Sequence, residues 1–441
     1  MAVKLEKPLG RKAYINARLI DPASGFDGPG AVLTEDELIS DVLTDTTGKD
    51  LASAGAGVET IDCSGQVLCP GLVDMRVHLG EPGNEHKGTL ESAGRAATAG
   101  GITTMACLPN TEPVIDDMSV VEFVARRARK LGLTKVHAYG AITKRCEGRE
   151  LAEIGMLAEA GAVAFTDADK AVADAQVMRR ALGYAATFGL VVVQHPEEPS
   201  LSAGGDMNAG ELATRLGLSG IPREAEIIMV ERDIRLAEMT GARLHFAHVS
   251  TSDALEAIRN AKARGLDVTC DTAPPYFALN ESSIGDYRTF AKLSPPLRSD
   301  GDRQAVVEAL KDGTIDVIAS DHRPEDEESK RLPFSQAAFG GVGLETLLAV
   351  SLDLVHNGEL DLIDVLARLT SIPAGLLGLE AGRLVKGAPA DLCLFDPGRG
   401  WQVDADRMIS KSKNTPFDGK PVQGRVLRTV IDGRSVFVLG D

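Results

Sequence analysis

Carboxylates and imidazoles stand where short apolar runs of this chain end. Asp74, Arg76 and His78 close the run that begins at Val67. Asp167 closes the fourth run, His195 the fifth, His248 lies at the end of the sixth, and Asp321 followed by His322 closes the eighth. Asp and His are hard and borderline donors of the kind that hold zinc or another divalent ion. A single His at a strand end is ordinarily a hydrogen-bonded structural residue, and Asp there also caps a following helix, a reading open to both Asp167 and Asp321. Several such residues brought to one place point instead to metal-assisted hydrolysis. His86, His137, His245 and His356 fit structural roles, His137 and His245 inside runs and His356 near a glycine turn.

The elements that must position these groups are legible as alternation. Candidate strands are 67–78, 103–108, 135–142, 162–167, 190–195, 243–249, 266–272 and 316–321, rich in Val, Ile, Leu and Ala without period-two alternation. That pattern suits parallel strands covered on both faces. Between them, 118–131, 174–188, 222–240 and 252–264 carry apolar residues at helical spacing, the last opening on Ser-Asp. Eight such repeats predict an α/β fold, a (β/α)8 TIM-type barrel over residues 66–383, with its active site at the C-terminal strand ends. An open doubly wound sheet is the alternative, and no GxGxxG follows the first strand to support it. Residues 1–65 and 384–441 give short strand-like pieces, read as one small β-sandwich domain built from both termini.

Composition narrows the function. The 441 residues include 47 Lys plus Arg and 64 Asp plus Glu, a net charge of −17, which argues against a nucleic-acid or anionic-membrane surface. No apolar run reaches the roughly 18 residues that span a bilayer. The first residues lack the apolar core of a signal peptide. Six cysteines (63, 69, 107, 146, 270 and 393) contain no CxxC pair, so they read as reduced thiols and the protein as cytoplasmic.

At these same residues the chain resembles the dihydroorotase family of the amidohydrolase superfamily. PGLVDMRVHLGEPG (Pro70–Gly83) is similar to that family's first-strand motif and AGGITTMACLPNTEPVID (Ala99–Asp116) to its second strand and Asn-Thr loop. The resemblance continues in order through GAVAFTD, VVVQHPEE, GIPREAE, ARLHFAHVST, SPPLRS, IASDHRPE, FGGVGLET, GRLVKGAPADLCLFDP and SKSKNTPFDGKPVQG. It implies the reversible cyclisation of carbamoyl aspartate to dihydroorotate in pyrimidine biosynthesis, with zinc as cofactor. A metal-bound hydroxide would attack the ring amide. It further implies His78, His195 and His248 as metal ligands, Asp167 where members carry a carboxylated lysine or Asp, Asp321 as a metal-site residue and catalytic proton shuttle, and Asn110 on the substrate carboxylate.

The departures from the family fall on the chemistry. Its first strand carries two histidines separated by one residue; here the first is Arg76, which cannot deprotonate and is no ordinary ligand. A +1 charge 4 Å from a dication is repelled by roughly 8 kcal/mol at an effective dielectric of 20. Gly80 replaces the Arg that grips the substrate carboxylate, Ser294 an Asn, and Glu325 a His of the same clamp, while Pro196 and Pro275 stand for the usual Cys and His. Random decay would also strike turns and glycines, which are intact. The resemblance therefore extends to dihydroorotase-like noncatalytic partners of aspartate transcarbamoylase. The retained His78, His195, His248 and Asp321 leave room for one zinc ion or none. The alternative is a working metal-dependent hydrolase of cyclic amides, dihydroorotase or a relative like allantoinase or dihydropyrimidinase, with Arg76 or Arg323 binding the substrate carboxylate. A homo-oligomer is expected from the family's habit.

Overall fold

The computed structural model describes residues 10–44 and 58–440. Residues 1–9, part of the stretch read for a leader, lie outside the described residues.

Two parallel ladders form the centre. Leu72–Val77, Ile102–Cys107 and Lys135–Ala138 make one, in that order. Val191–Gln194, Arg243–Phe246, Val268–Thr272 and Val317–Ile318 make the other, paired in sequence. The first two strands are buried at every residue, which is why their sequences do not alternate. Single parallel bridges join the ladders: Gly140 to Phe165, Phe165 to Val192, and Val77 to His322.

The expected fourth strand, 162–167, is the exception. It bridges both neighbours at Phe165 alone, whose N–H donates to Val191 O (3.0 Å) and whose carbonyl accepts from Val193 N (2.7 Å), while Val163 N and Thr166 N donate to Ala138 O and Gly140 O on the other side. Ala168, at φ 59°, then turns the chain out of extended geometry.

Helices fill the connections much as their periodicity predicts. Met118–Leu131 begins at Asp117, whose carboxylate accepts from Ser119 N, and ends at left-handed Gly132. Ala175–Ala186 is capped by Asp174 in the same way. Glu224–Thr240 ends at left-handed Gly241. Ser252–Ala263 corrects the expectation of an Ser-Asp cap. Its N-cap is Thr251, which makes no capping bond because its hydroxyl donates to Glu226.

The two ends of the chain meet in one eight-stranded sheet. Its order is Arg434–Val438, Pro421–Ile431, Leu392–Gln402, Val67–Pro70, Arg11–Asp21, Phe26–Glu35 and Leu38–Thr44, with Val58–Asp62 also on Arg11–Asp21. The run read as a single strand from Val67 thus divides at Gly71. Val67–Pro70 pairs with Leu392–Gln402, setting Cys69 opposite Cys393, while Leu72–Val77 enters the central ladder. A Cβ on Gly71 would lie 2.2 Å from the Thr103 side chain, so the crossover needs glycine.

The turn after Leu90–Ala99 is as tight. Gly100 is buried, and a Cβ there would lie 2.0 Å from the Leu344 carbonyl oxygen. Gly100→Ala is expected to cost about 1–3 kcal/mol or more, because backbone must move to admit the methyl group. A urea melt checks this, and an unchanged midpoint would show that the contact relaxes freely.

Candidate functional site

The strand ends bring most of the expected residues together, around a cation. Arg76 leaves the first strand with 2% of its surface exposed. Its Nη2 donates to Asp169 Oδ1 (3.2 Å) and to the Ala168 carbonyl (3.5 Å). Its Nε lies 3.5 Å from Asp321 Oδ1. His78 Nε2 lies 3.2 Å from the same Asp169 oxygen. Asn110 Nδ2 donates to Asp169 Oδ2 (3.3 Å) and sits 3.2 Å from His78 Nδ1. Arg323 Nη1 lies 3.2 Å from Asp169 Oδ2. Asp169, a residue the sequence reading passed over, is thus the hub.

His248 is the second node. Its Nε2 is 2.9 Å from Asp321 Oδ1 and its Nδ1 2.8 Å from Asp271 Oδ1. Asp271 also receives His245 Nε2 at 2.9 Å and the His248 backbone N–H at 2.8 Å. His248 and Asp321 sit at φ 55° and 48°, left-handed values uncommon for residues with a Cβ. Such backbone persists where surrounding contacts over-determine it, and it clusters at sites.

Charge follows geometry. Burial opposes ionisation of Asp169, but the Arg323, His78 and Arg76 charges outweigh it and hold the carboxyl well below the ordinary range. Burial likewise works against Asp321, and His248 and Arg76 overcome it, so its value falls. His248 is disfavoured as a cation by burial, yet Asp321 and Asp271 lift it to about 9. His195 goes the other way: burial, then Arg76, push it down to about 3, so the ring is neutral. Its Nε2 is 3.4 Å from Ser294 Oγ, and its Nδ1 has no partner.

Asp167 is not drawn into this centre. Its Oδ1 accepts from Thr143 N (2.9 Å), and Thr143 Oγ1 donates to Oδ2. Burial lifts it to about 6 against those bonds. The carboxylate two residues on, Asp169, faces the centre instead, because the left-handed Ala168 separates the directions of the two side chains. Asp74 faces backbone instead: its Oδ1 accepts from Arg76 N and Ser320 N at 3.2 and 3.1 Å. His322 lends its ring to Gly343 N (3.3 Å) and its carbonyl to His78 N (2.8 Å), a structural pairing.

The altered clamp positions have local explanations. Glu325 is buried and held by Lys87 Nζ (2.8 Å), with Arg323 Nε at 3.6 Å. Gly80 sits at φ 76°, and a Cβ there would lie 2.7 Å from Gly88 O and 2.9 Å from Asn84 O. No arginine fits that backbone. Asp169 borders an open cleft of about 700 Å³ whose walls include Arg149, Lys170 and Glu197.

A divalent ion does not fit these residues as they stand. The guanidinium of Arg76 lies among the donors, Asp169 is already engaged by Arg76, His78, Asn110 and Arg323, and His248 pairs with Asp321. Among the described residues no group of three or more His, Cys, Asp or Glu side chains is placed to hold a metal.

Comparison with known proteins agrees with the scaffold. Residues 225–437 match the amidohydrolase family, and residues 65–254 match the dihydro-orotase-like family. The L-hydantoinase (dihydropyrimidinase) of Arthrobacter aurescens superposes with a TM-score of 0.84 at 27% identity, covering 98% of both chains. The fold is therefore the amidohydrolase fold. The dihydroorotase of Anaplasma phagocytophilum (strain HZ) is 47% identical over 96% of this chain and 95% of its own, and that of Pelobacter propionicus 47% over 96% and 98%. The chain belongs to the dihydroorotase family.

Behind His248 a buried carboxylate fixes the loop. Glu226 Oε1 accepts from Thr251 N (2.9 Å) and Thr251 Oγ1 (2.7 Å), and Ser250 N lies 3.0 Å away. Arg298 Nη2 is 3.8 Å off, and Arg298 also donates to Ser250 Oγ and Asn208 Oδ1 at 3.1 Å each. The GIPREAE, HVST and SPPLRS motifs thus meet in one structural knot. Glu226→Ala strands a buried guanidinium and is expected to cost about 3–5 kcal/mol. A chemical melt showing less than about 1 kcal/mol would mean that the knot is dispensable.

Proposed function

We propose that this chain is a dihydroorotase-family protein of pyrimidine biosynthesis whose hydrolysis of the cyclic amide of dihydroorotate is lost or strongly weakened. One observation carries the reading: Arg76 stands where the family's first strand has a ligand, and its buried guanidinium lies between Asp169 and Asp321. A side chain that cannot deprotonate supplies permanent positive charge there. Asp321, the expected proton carrier, is engaged by His248 and Arg76. The substrate clamp is reduced to Asn110 and Arg323, both already turned to Asp169.

The finer architecture belongs to the same reading. The bridges Gly140–Phe165, Phe165–Val192 and Val77–His322 support closure of the ladders into a (β/α)8 barrel, with the terminal sheet as a composite small domain. The six cysteines are free and buried, in keeping with a cytoplasmic protein. Among the described residues no helix is long and apolar enough to cross a membrane. The partner we propose is aspartate transcarbamoylase, on the likeness of the substitutions to its noncatalytic dihydroorotase-like companions.

A single purification tests this. The protein is expected to turn over dihydroorotate several orders of magnitude more slowly than active members, with or without zinc. Its Tm should not change with chelator, since an ion bound to the native state would stabilise it. Activity within a few orders of magnitude of ordinary members would end the proposal in favour of a working cyclic amidohydrolase. Arg76→His alone is expected not to restore turnover, because Gly80 and Glu325 remain. Co-purification of a transcarbamoylase tests the partner.

A further inference from the structure

Asp169 is surrounded as a bound ligand would be. Arg76 Nη2 and His78 Nε2 stand 3.2 Å from its Oδ1; Asn110 Nδ2 and Arg323 Nη1 stand 3.3 and 3.2 Å from its Oδ2. Arg76 and Asn110 make one hydrogen bond to each oxygen, and His78 and Arg323 stand close enough to add to them. Guanidinium groups are suited to planar carboxylates, and their charged bonds are the strong ones.

The donors do not depend on Asp169 for their place. Arg76 and His78 belong to the first strand and its end, and Asn110 follows the second. Arg323 is fixed through its backbone: its N–H donates to Gly341 O (2.8 Å) and its carbonyl accepts from Asn414 Nδ2 (3.0 Å). The carboxylate itself comes from the turn after left-handed Ala168, is one-fifth exposed (20%), and borders the 700 Å³ cleft. Arg76 Nε and Nη1 are buried without a hydrogen-bond partner, so the site holds donors beyond those Asp169 uses.

We propose that this cluster is a carboxylate-binding site occupied by the chain's own Asp169, and that a small carboxylic acid entering through the cleft competes with that side chain. The donor set differs from the family clamp, because Arg76 and Arg323 supply the guanidinium groups. The proposal goes beyond the reading of catalysis above: it concerns binding, and neither activity nor inactivity toward dihydroorotate decides it.

Acetate is the probe and chloride the control, read by calorimetry and by Tm on the full chain. Asp169→Ala should bind acetate roughly tenfold to a hundredfold more tightly than the unaltered protein, the range of one charged hydrogen bond. Acetate should raise the Tm of that variant more than equimolar chloride does. Adding Arg323→Met should abolish the gain. Equal acetate affinity with and without Asp169, equal shifts with acetate and chloride, or a gain that survives Arg323→Met would each overturn the proposal. Should Asp169→Ala not fold, refolding in acetate decides: recovery with acetate but not chloride supports the site, and recovery with neither or with both overturns it.

Discussion

A guanidinium that cannot shed its proton, shut away at 2% exposure, dictates the arrangement around it. Burying such a charge is costly unless anions and hydrogen bonds meet it. Asp169 and Asp321 meet it from two sides. Their own charges are then balanced outward, by Arg323 on one flank and by His248 on the other. The chain of alternating charge ends at Asp271, which anchors both His245 and His248. Arg76 is thus no local feature: the carboxylates and imidazoles around it form a set that neutralises itself.

The sequence placed most of this scaffold and only part of the centre. Seven of the eight expected strands form parallel ladders, since continuous apolar runs suit strands buried on both faces. The run at 162–167 bridges its neighbours only at Phe165, although Val163, Ala164 and Thr166 also bond the backbone of the third strand and its end. The helix Leu90–Ala99 is built on Ala, Gly and Thr with Leu90 its only large apolar residue, so it has no run of Leu, Ile or Val to mark it. Arg76, His78, Asn110, Arg323, His248 and Asp321 gather as expected. Asp169 was unreadable because nothing in AFTDADK tells its carboxylate from that of Asp167; a single positive φ decides which one faces inward. Glu226 lay in plain view within GIPREAE, and its role emerges only when Ser250 and Arg298 are seen beside it.

The supports of the loops can be told apart from the groups the loops carry. The Glu226–Arg298 knot, the Asn414 bonds and the glycines at 71 and 100 all keep tight, specific contacts. Those features hold loops in position whatever the loops carry. Gly80 is a further case: its left-handed backbone sits in a turn with no room for a larger side chain. The constraint there lies in the path of the chain.

The sheet that joins both termini has a consequence for the order in which the molecule is made. Val67–Pro70 pairs with Leu392–Gln402, and Asn414 holds the backbone of Arg323 and donates to Gly340. Neither contact can exist until the ribosome has released the chain beyond Leu392. The amino-terminal strands must therefore wait with an open edge, a state prone to wrong pairing. Folding is gated by the last segment to emerge, so truncation near the carboxyl end should undo the beginning of the protein as well as its end.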